Sequence, residues 1–200
     1  MYSTNKAVII ANQSAYMTAG INDNVIVNSV KVEKSPAGND FLEIEFMKDG
    51  KTVTMTEWQN KINSWIKNND DLQNADNQQF GRILQVLKCF YKDEDLQIEI
   101  SSFIDMANWV KDKLTTVIPN KKPLRLKVVY NAKGFTTTSH NGIFVEPMDV
   151  TESKVEKLPR DRFERPVIKA DQETIDPLAK AESTPATSTE DTTKADDLPF

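Results

Sequence analysis

Two hundred residues at 38% hydrophobic content describe one domain of ordinary size with room for extensions. A core of about 150 residues buries roughly 68–70% of its unfolded surface without help from metal or disulfides, and one cysteine (Cys89) with one histidine (His140) excludes an intrachain bridge and a Cys/His metal cluster. No apolar run approaches the ~18–20 residues of a membrane span, Val8-Ile9-Ile10 is too short for a signal peptide, and the single cysteine fits a reduced cytosolic setting, so the chain, of net charge −5, is expected to be soluble and cytoplasmic.

Residues 1–22 read as an irregular lead-in. From Asn24 a β-branched run through Val32 predicts a strand, with Lys31 and Lys34 facing away. Ser35 to Asp40 is a turn by composition. Leu42, Ile44 and Phe46 alternate with Glu43 and Glu45, the pattern of a half-buried strand. Asp49-Gly50 signals a tight hairpin, and Thr52 to Thr56 returns with Val53 and Met55 inward. These three strands form an antiparallel meander.

The period then changes. Thr56 with Gln59 resembles a capping box, and Trp58, Ile62, Trp65 and Ile66 fall on one helical face that ends near Asn68-Asn69. Strand parity would turn Trp58 outward with the threonines; helical spacing turns it inward, and the inward reading is preferred. Asn69 to Asn77 reads as loop. A second helix carries Phe80, Ile83, Leu84, Leu87, Phe90 and Tyr91, Leu96 to Ile100 reads as extended, and a third helix opens at Ser102 and stops before Pro119. Leu124, Leu126 and Val128 alternate with Arg125 and Lys127, a strand with one apolar and one basic face. Asn131 to Gly134 is a turn, Phe135 to Thr138 a return strand, and Asn141-Gly142 a turn before Ile143 to Val145.

Past Pro147 the apolar periodicity stops. Residues 151–200 are expected to stay disordered, because they cannot bury enough apolar surface to offset their ordering entropy. Residues 171–200 hold eight carboxylates against Lys180 and Lys194, a net of −6, which leaves residues 1–170 at +1. The acidity therefore sits in the tail and not in the body.

Three strands, a helical block over residues 57–118 and two further strands is the order of a five-stranded OB-fold-like antiparallel barrel with a large helical insertion between strands 3 and 4. The expected class is α+β, with residues 1–150 as the domain and 151–200 as the tail. A mixed α+β sandwich without barrel closure is the alternative. No phosphate loop, catalytic cysteine, histidine site or fixed carboxylate pair emerges, so a non-catalytic protein without metal or cofactor is expected.

The chain ends in Asp196-Asp197-Leu198-Pro199-Phe200. This acidic ending resembles the C-terminal tip of bacterial and phage single-stranded DNA-binding proteins, and the stretch from Gly20 through Asn24, Phe41 and Gly50 to Glu57-Trp58 is similar to the opening of small phage proteins of that kind. The resemblance implies sequence-independent protection of single-stranded DNA in a bacterial host cell, as a monomer or small homo-oligomer. It also implies a tip, Asp196 to Phe200, that recruits replication or recombination proteins. Such binding requires cations along a groove and aromatic faces for stacking. The candidates are Lys31, Lys34, Lys48, Lys51, Arg125, Lys127, Tyr130, Lys133 and Phe135. A replisome adaptor that uses the same tail without holding DNA, or a nuclease with a carboxylate-bound metal, are the competing readings.

Overall fold

The computed structural model describes residues 15–166. The docking tip at Asp196 to Phe200 lies outside them. The described residues form an α+β fold with six strands and two α-helices: β1 (Gly20–Lys34), β2 (Asp40–Lys48), β3 (Lys51–Trp58), α1 (Asn69–Leu87), α2 (Phe103–Val117), β4 (Leu124–Tyr130), β5 (Thr136–Thr138) and β6 (Val145–Pro147). The sheet is antiparallel in the order β3-β2-β1-β4-β5. It has one strand more than the five expected, because β6 also pairs with β4, Val145 opposite Leu126.

The meander forms as its local patterns require. Asp49 and Gly50 both take positive φ, 49° and 74°, so the β2–β3 connection twists with its strands and sets the register Lys48 opposite Lys51. β1 is long because it serves two partners. Its first residues pair with β4 from Gly20 to Val25, and its remainder pairs with β2 from Ile26 to Lys34. The register shifts between Asn22 and Val25, where Asn24 sits at φ 59°, and this bulge bends the strand from one partner to the other.

The edges of β3 and β5 approach each other. The Thr137 hydroxyl donates to the Thr54 carbonyl at 3.4 Å, while residues 15–17 pair in parallel with the start of β3 through Thr52. Inside, one continuous core joins Val27, Ile44, Phe46, Leu126 and Phe144 of the sheet region to Ile83, Val110 and Leu114 of the helices.

Three further expectations are corrected. Residues 57–68 are not a helix: β3 continues to Trp58, and the following loop is closed by Asn63, whose Oδ1 accepts from the Trp65 and Ile66 amides. Asn69 to Asn77 is not a loop but the first half of α1, started by Asn68, whose side chain accepts from the Asp71 amide at 2.8 Å, with Asp70 and Asp71 favourably placed in the first turn. Finally, residues 151–166 are not part of a detached tail. They pack as a strap: Val155 is buried, and the Tyr130 amide donates to the Arg162 carbonyl at 2.8 Å. The cap at Ser102 stands as expected, with its hydroxyl accepting from the Asp105 amide at 3.2 Å. No helix among the described residues is long and apolar enough to cross a membrane.

Candidate nucleic-acid interface

The outward face of β2 and β3 is uncharged along its β3 row. Thr52, Thr54 and Thr56 alternate with buried Val53, Met55 and Glu57. Strand parity then places Trp58 on the same face, and it is 46% exposed, so the inward reading of this residue is corrected. Phe41 is its register partner on β2, and the two rings lie 4.7 Å apart at 39°. Around them, Lys34 pairs with Asp40 at 3.0 Å, and the Lys61 ammonium donates to Asn39 Oδ1 at 2.6 Å. A recess of about 270 Å³ opens beside Trp58, lined also by Asn39, Gln59, Asn60, Lys61 and Asn63. The Asn63 turn holds Trp65 out in solvent, 89% exposed.

A second cluster gathers at the β4–β5 turn. Asn131 Oδ1 accepts from the amides of Lys133 and Phe135, which fixes the turn and leaves Phe135 58% exposed. The strap adds what sequence reading did not supply. Arg165 lies across Gly134, its Nε 3.2 Å from where a Cβ would stand, and Arg162 follows from the bond to Tyr130. Because β5 runs alongside β3 with Thr137 at Thr54, this turn lies at the Thr52 end of the sheet, with Lys48 and Lys51 of the β2–β3 hairpin. Lys48, Lys51, Lys133, Arg162 and Arg165 carry no ion pair among the described residues. Six residues of strand separate Thr52 from Trp58, about 20 Å at ~3.3 Å per residue.

Two predicted cations do not belong to this surface. Lys127 is fully buried: its ammonium donates to the carbonyls of Asn141 at 2.8 Å and Glu156 at 2.9 Å, and ion-pairs with Asp161 at 2.8 Å. Asp161 further accepts from Ser139, Asn141 and the Leu158 amide. Burial pushes its pKa up, but the hydrogen bond from Lys127 and these further bonds outweigh burial and hold it at about 2. Arg125 is likewise engaged, with Asp23 at 2.7 Å and Glu146 at 2.9 Å. Both residues fasten the strap and strands together. Lys31 lies on the outward face but 3.8 Å from Glu43.

Between β3 and β5, Arg82 of α1 acts as a latch. It pairs with Glu57 at 2.8 Å, donates to the Thr138 hydroxyl at 3.3 Å and contacts the His140 ring. Burial raises the Glu57 pKa against the lowering influence of Arg82 and Gln79, while burial and the Arg82 charge press His140 down to about 4. No group of three or more His, Cys, Asp or Glu arranged for a metal occurs among the described residues. Cys89 is buried, and its thiol is pushed up to about 12, chiefly by desolvation.

No protein-family model matches the chain, and no curated protein matches it.

Proposed function

We propose that the chain binds single-stranded DNA without catalysis and with little sequence preference, on an OB-type barrel whose path β1-β2-β3-β5-β4-β1 is completed where β3 meets β5. The observation that carries this reading is the pairing of two aromatic and cationic clusters, Phe41–Trp58 with Lys61, and Phe135 with Lys133, Arg162 and Arg165, at opposite ends of one threonine row. Unpaired bases would stack on the rings, each worth ~1–3 kcal/mol, and the cations would follow the backbone. Threonine hydroxyls between them offer sequence-tolerant contacts. The acidic tail, Asp196 to Phe200 in particular, would recruit replication or recombination enzymes as a tethered peptide.

Titration with oligo-dT, followed through tryptophan fluorescence, tests the reading. Quenching that weakens steeply with salt is expected. No binding at low salt would overturn it and favour the adaptor.

A further inference from the structure

We infer that the cleft between α1 and α2 is a separate docking site for a short protein segment carrying an apolar anchor flanked by lysines or arginines. This inference is independent of the nucleic-acid reading. The cleft encloses about 680 Å³, a volume that suits one or two large side chains and not a folded domain. Leu72, Phe80, Ile100 and Phe103 give it an apolar lining, and Asp76 and Glu99 stand among the lining residues. No lysine or arginine lines it.

Charge selects the occupant. Residues 69–106 carry eight carboxylates and three cations. All three cations are engaged: Arg82 by Glu57 at 2.8 Å, Lys88 by Asp93 at 2.9 Å and Lys92 by Glu94 at 3.7 Å. The N-termini of α1 and α2 both reach the cleft, and each contributes about +0.5 of an elementary charge. Against that stand Asp70 and Asp71 in the first turn of α1, Asp105 in that of α2, and Asp76 and Glu99 in the cleft itself. Five full negative charges outweigh two half-charges together with Lys61 and Lys67 of the adjoining loop, so the cleft attracts cations. A phosphate backbone is repelled, and so is this chain's own segment 171–200 with its eight acids. The basic strap is no candidate either, because the buried Lys127–Asp161 pair holds it in place. What remains is a cationic, apolar segment of another protein. Gln59 and Asn60 line both the cleft and the Trp58 recess, so the occupant would lie directly beside that recess.

The test uses the full chain and three labelled peptides of equal length: central leucines flanked by lysines, the same leucines flanked by glutamates, and a lysine peptide without leucines. Fluorescence anisotropy at low salt is expected to show the first binding at least tenfold tighter than the other two. Asp76→Ala with Glu99→Ala should weaken it about tenfold, and Ile98→Ser, at a lining residue that is 38% exposed, should weaken it several-fold without disturbing the fold. Equal binding of the leucine-free peptide, preference for the glutamate peptide, or indifference to both variants would overturn the inference. Displacement of the peptide by oligo-dT, with Ile98→Ser weakening oligo-dT and the carboxylate variant tightening it, would assign the cleft to nucleic acid and overturn it too.

Discussion

Replacing Asp161 by Asn should destabilise the domain severely and loosen the strap that carries Arg162 and Arg165. Both partners of the Lys127–Asp161 pair have fully buried side chains, 2.8 Å apart. The substitution preserves shape but leaves the Lys127 ammonium buried without a counter-charge, a change that costs about 3–5 kcal/mol. The depressed acidity offers a second route to the magnitude. A carboxylate held at about 2 instead of 3.8 contributes about 2 kcal/mol, present above pH ~4 and lost as pH falls through about 2. The substitution costs more than protonation because the amide NH2 replaces one carboxylate oxygen and faces donors there, either Ser139 and Asn141 at Oδ1 or Leu158 and Lys127 at Oδ2. With a urea m-value of about 2 kcal/mol/M, the unfolding midpoint should fall by roughly 1.5–2.5 M. Adding Lys127→Met should recover most of the loss, since a buried pair replaced by apolar and neutral groups is often close to neutral. A midpoint shift under about 0.5 M, or a double variant no better than the single one, would refute the clamp.

At the interface, Trp58→Ala and Phe135→Ala should each weaken oligo-dT by ~1–3 kcal/mol in a fluorescence or anisotropy titration, and unchanged affinity removes that ring from the site. Lys133→Ala with Arg165→Ala should flatten the slope of log K against log salt by about 0.7 for each phosphate no longer neutralised, whereas Arg125→Gln, whose charge is already taken by Asp23 and Glu146, should leave the slope as it is. Burial and the neighbouring Arg82 favour neutral His140, so its folded pKa of about 4 lies below the unfolded 6.5; its contribution to stability is complete above that value and lost as pH falls toward 4. An NMR titration giving a pKa at or above 6.5 would contradict the Arg82 contact. If the acidic segment 171–200 competes with DNA for the cations, removing it should tighten oligo-dT at low salt; equal affinities would dismiss the competition.

Local chemistry made much of the fold legible. The three-strand meander, the Asp49-Gly50 turn and the Ser102 cap each follow from residues within a few positions of one another. The failures share a cause in distant packing. Trp58, Ile62, Trp65 and Ile66 have helical spacing, yet the ladder that sets Trp58 opposite Phe41 claims it for β3. Spacing within one segment does not record which neighbouring strand a residue will pair with. Asn69 to Asn77 contains too little apolar surface to display a period, so only its Asn68 cap could have marked the start of α1. Lys127 alternates with Leu126 and Val128 as an outward residue should, but residues 151–166 cover that face, and alternation along one strand carries no information about a strap from elsewhere in the chain. Phe41 is not among the aromatic candidates, although it stands at the start of β2 and its parity with Glu43 and Glu45 turns it outward.

The bend in β1 bears on the order in which the domain assembles. Its pairing with β2 closes across the short turn between Lys34 and Asp40, whereas its pairing with β4 brings together Asp23 and Arg125, 102 residues apart. Loop-closure entropy makes the second pairing about 2.5 kcal/mol more expensive than the first. The meander, with its Phe41–Trp58 platform, is thus expected to form early, and the pairing of β4 with β1 late; φ-values high in β2 and β3 and near zero for side chains at the β1–β4 contact would bear this out. One bent strand therefore joins two locally closed halves, and the two ends of the candidate interface come onto one sheet only when that strand takes its second partner.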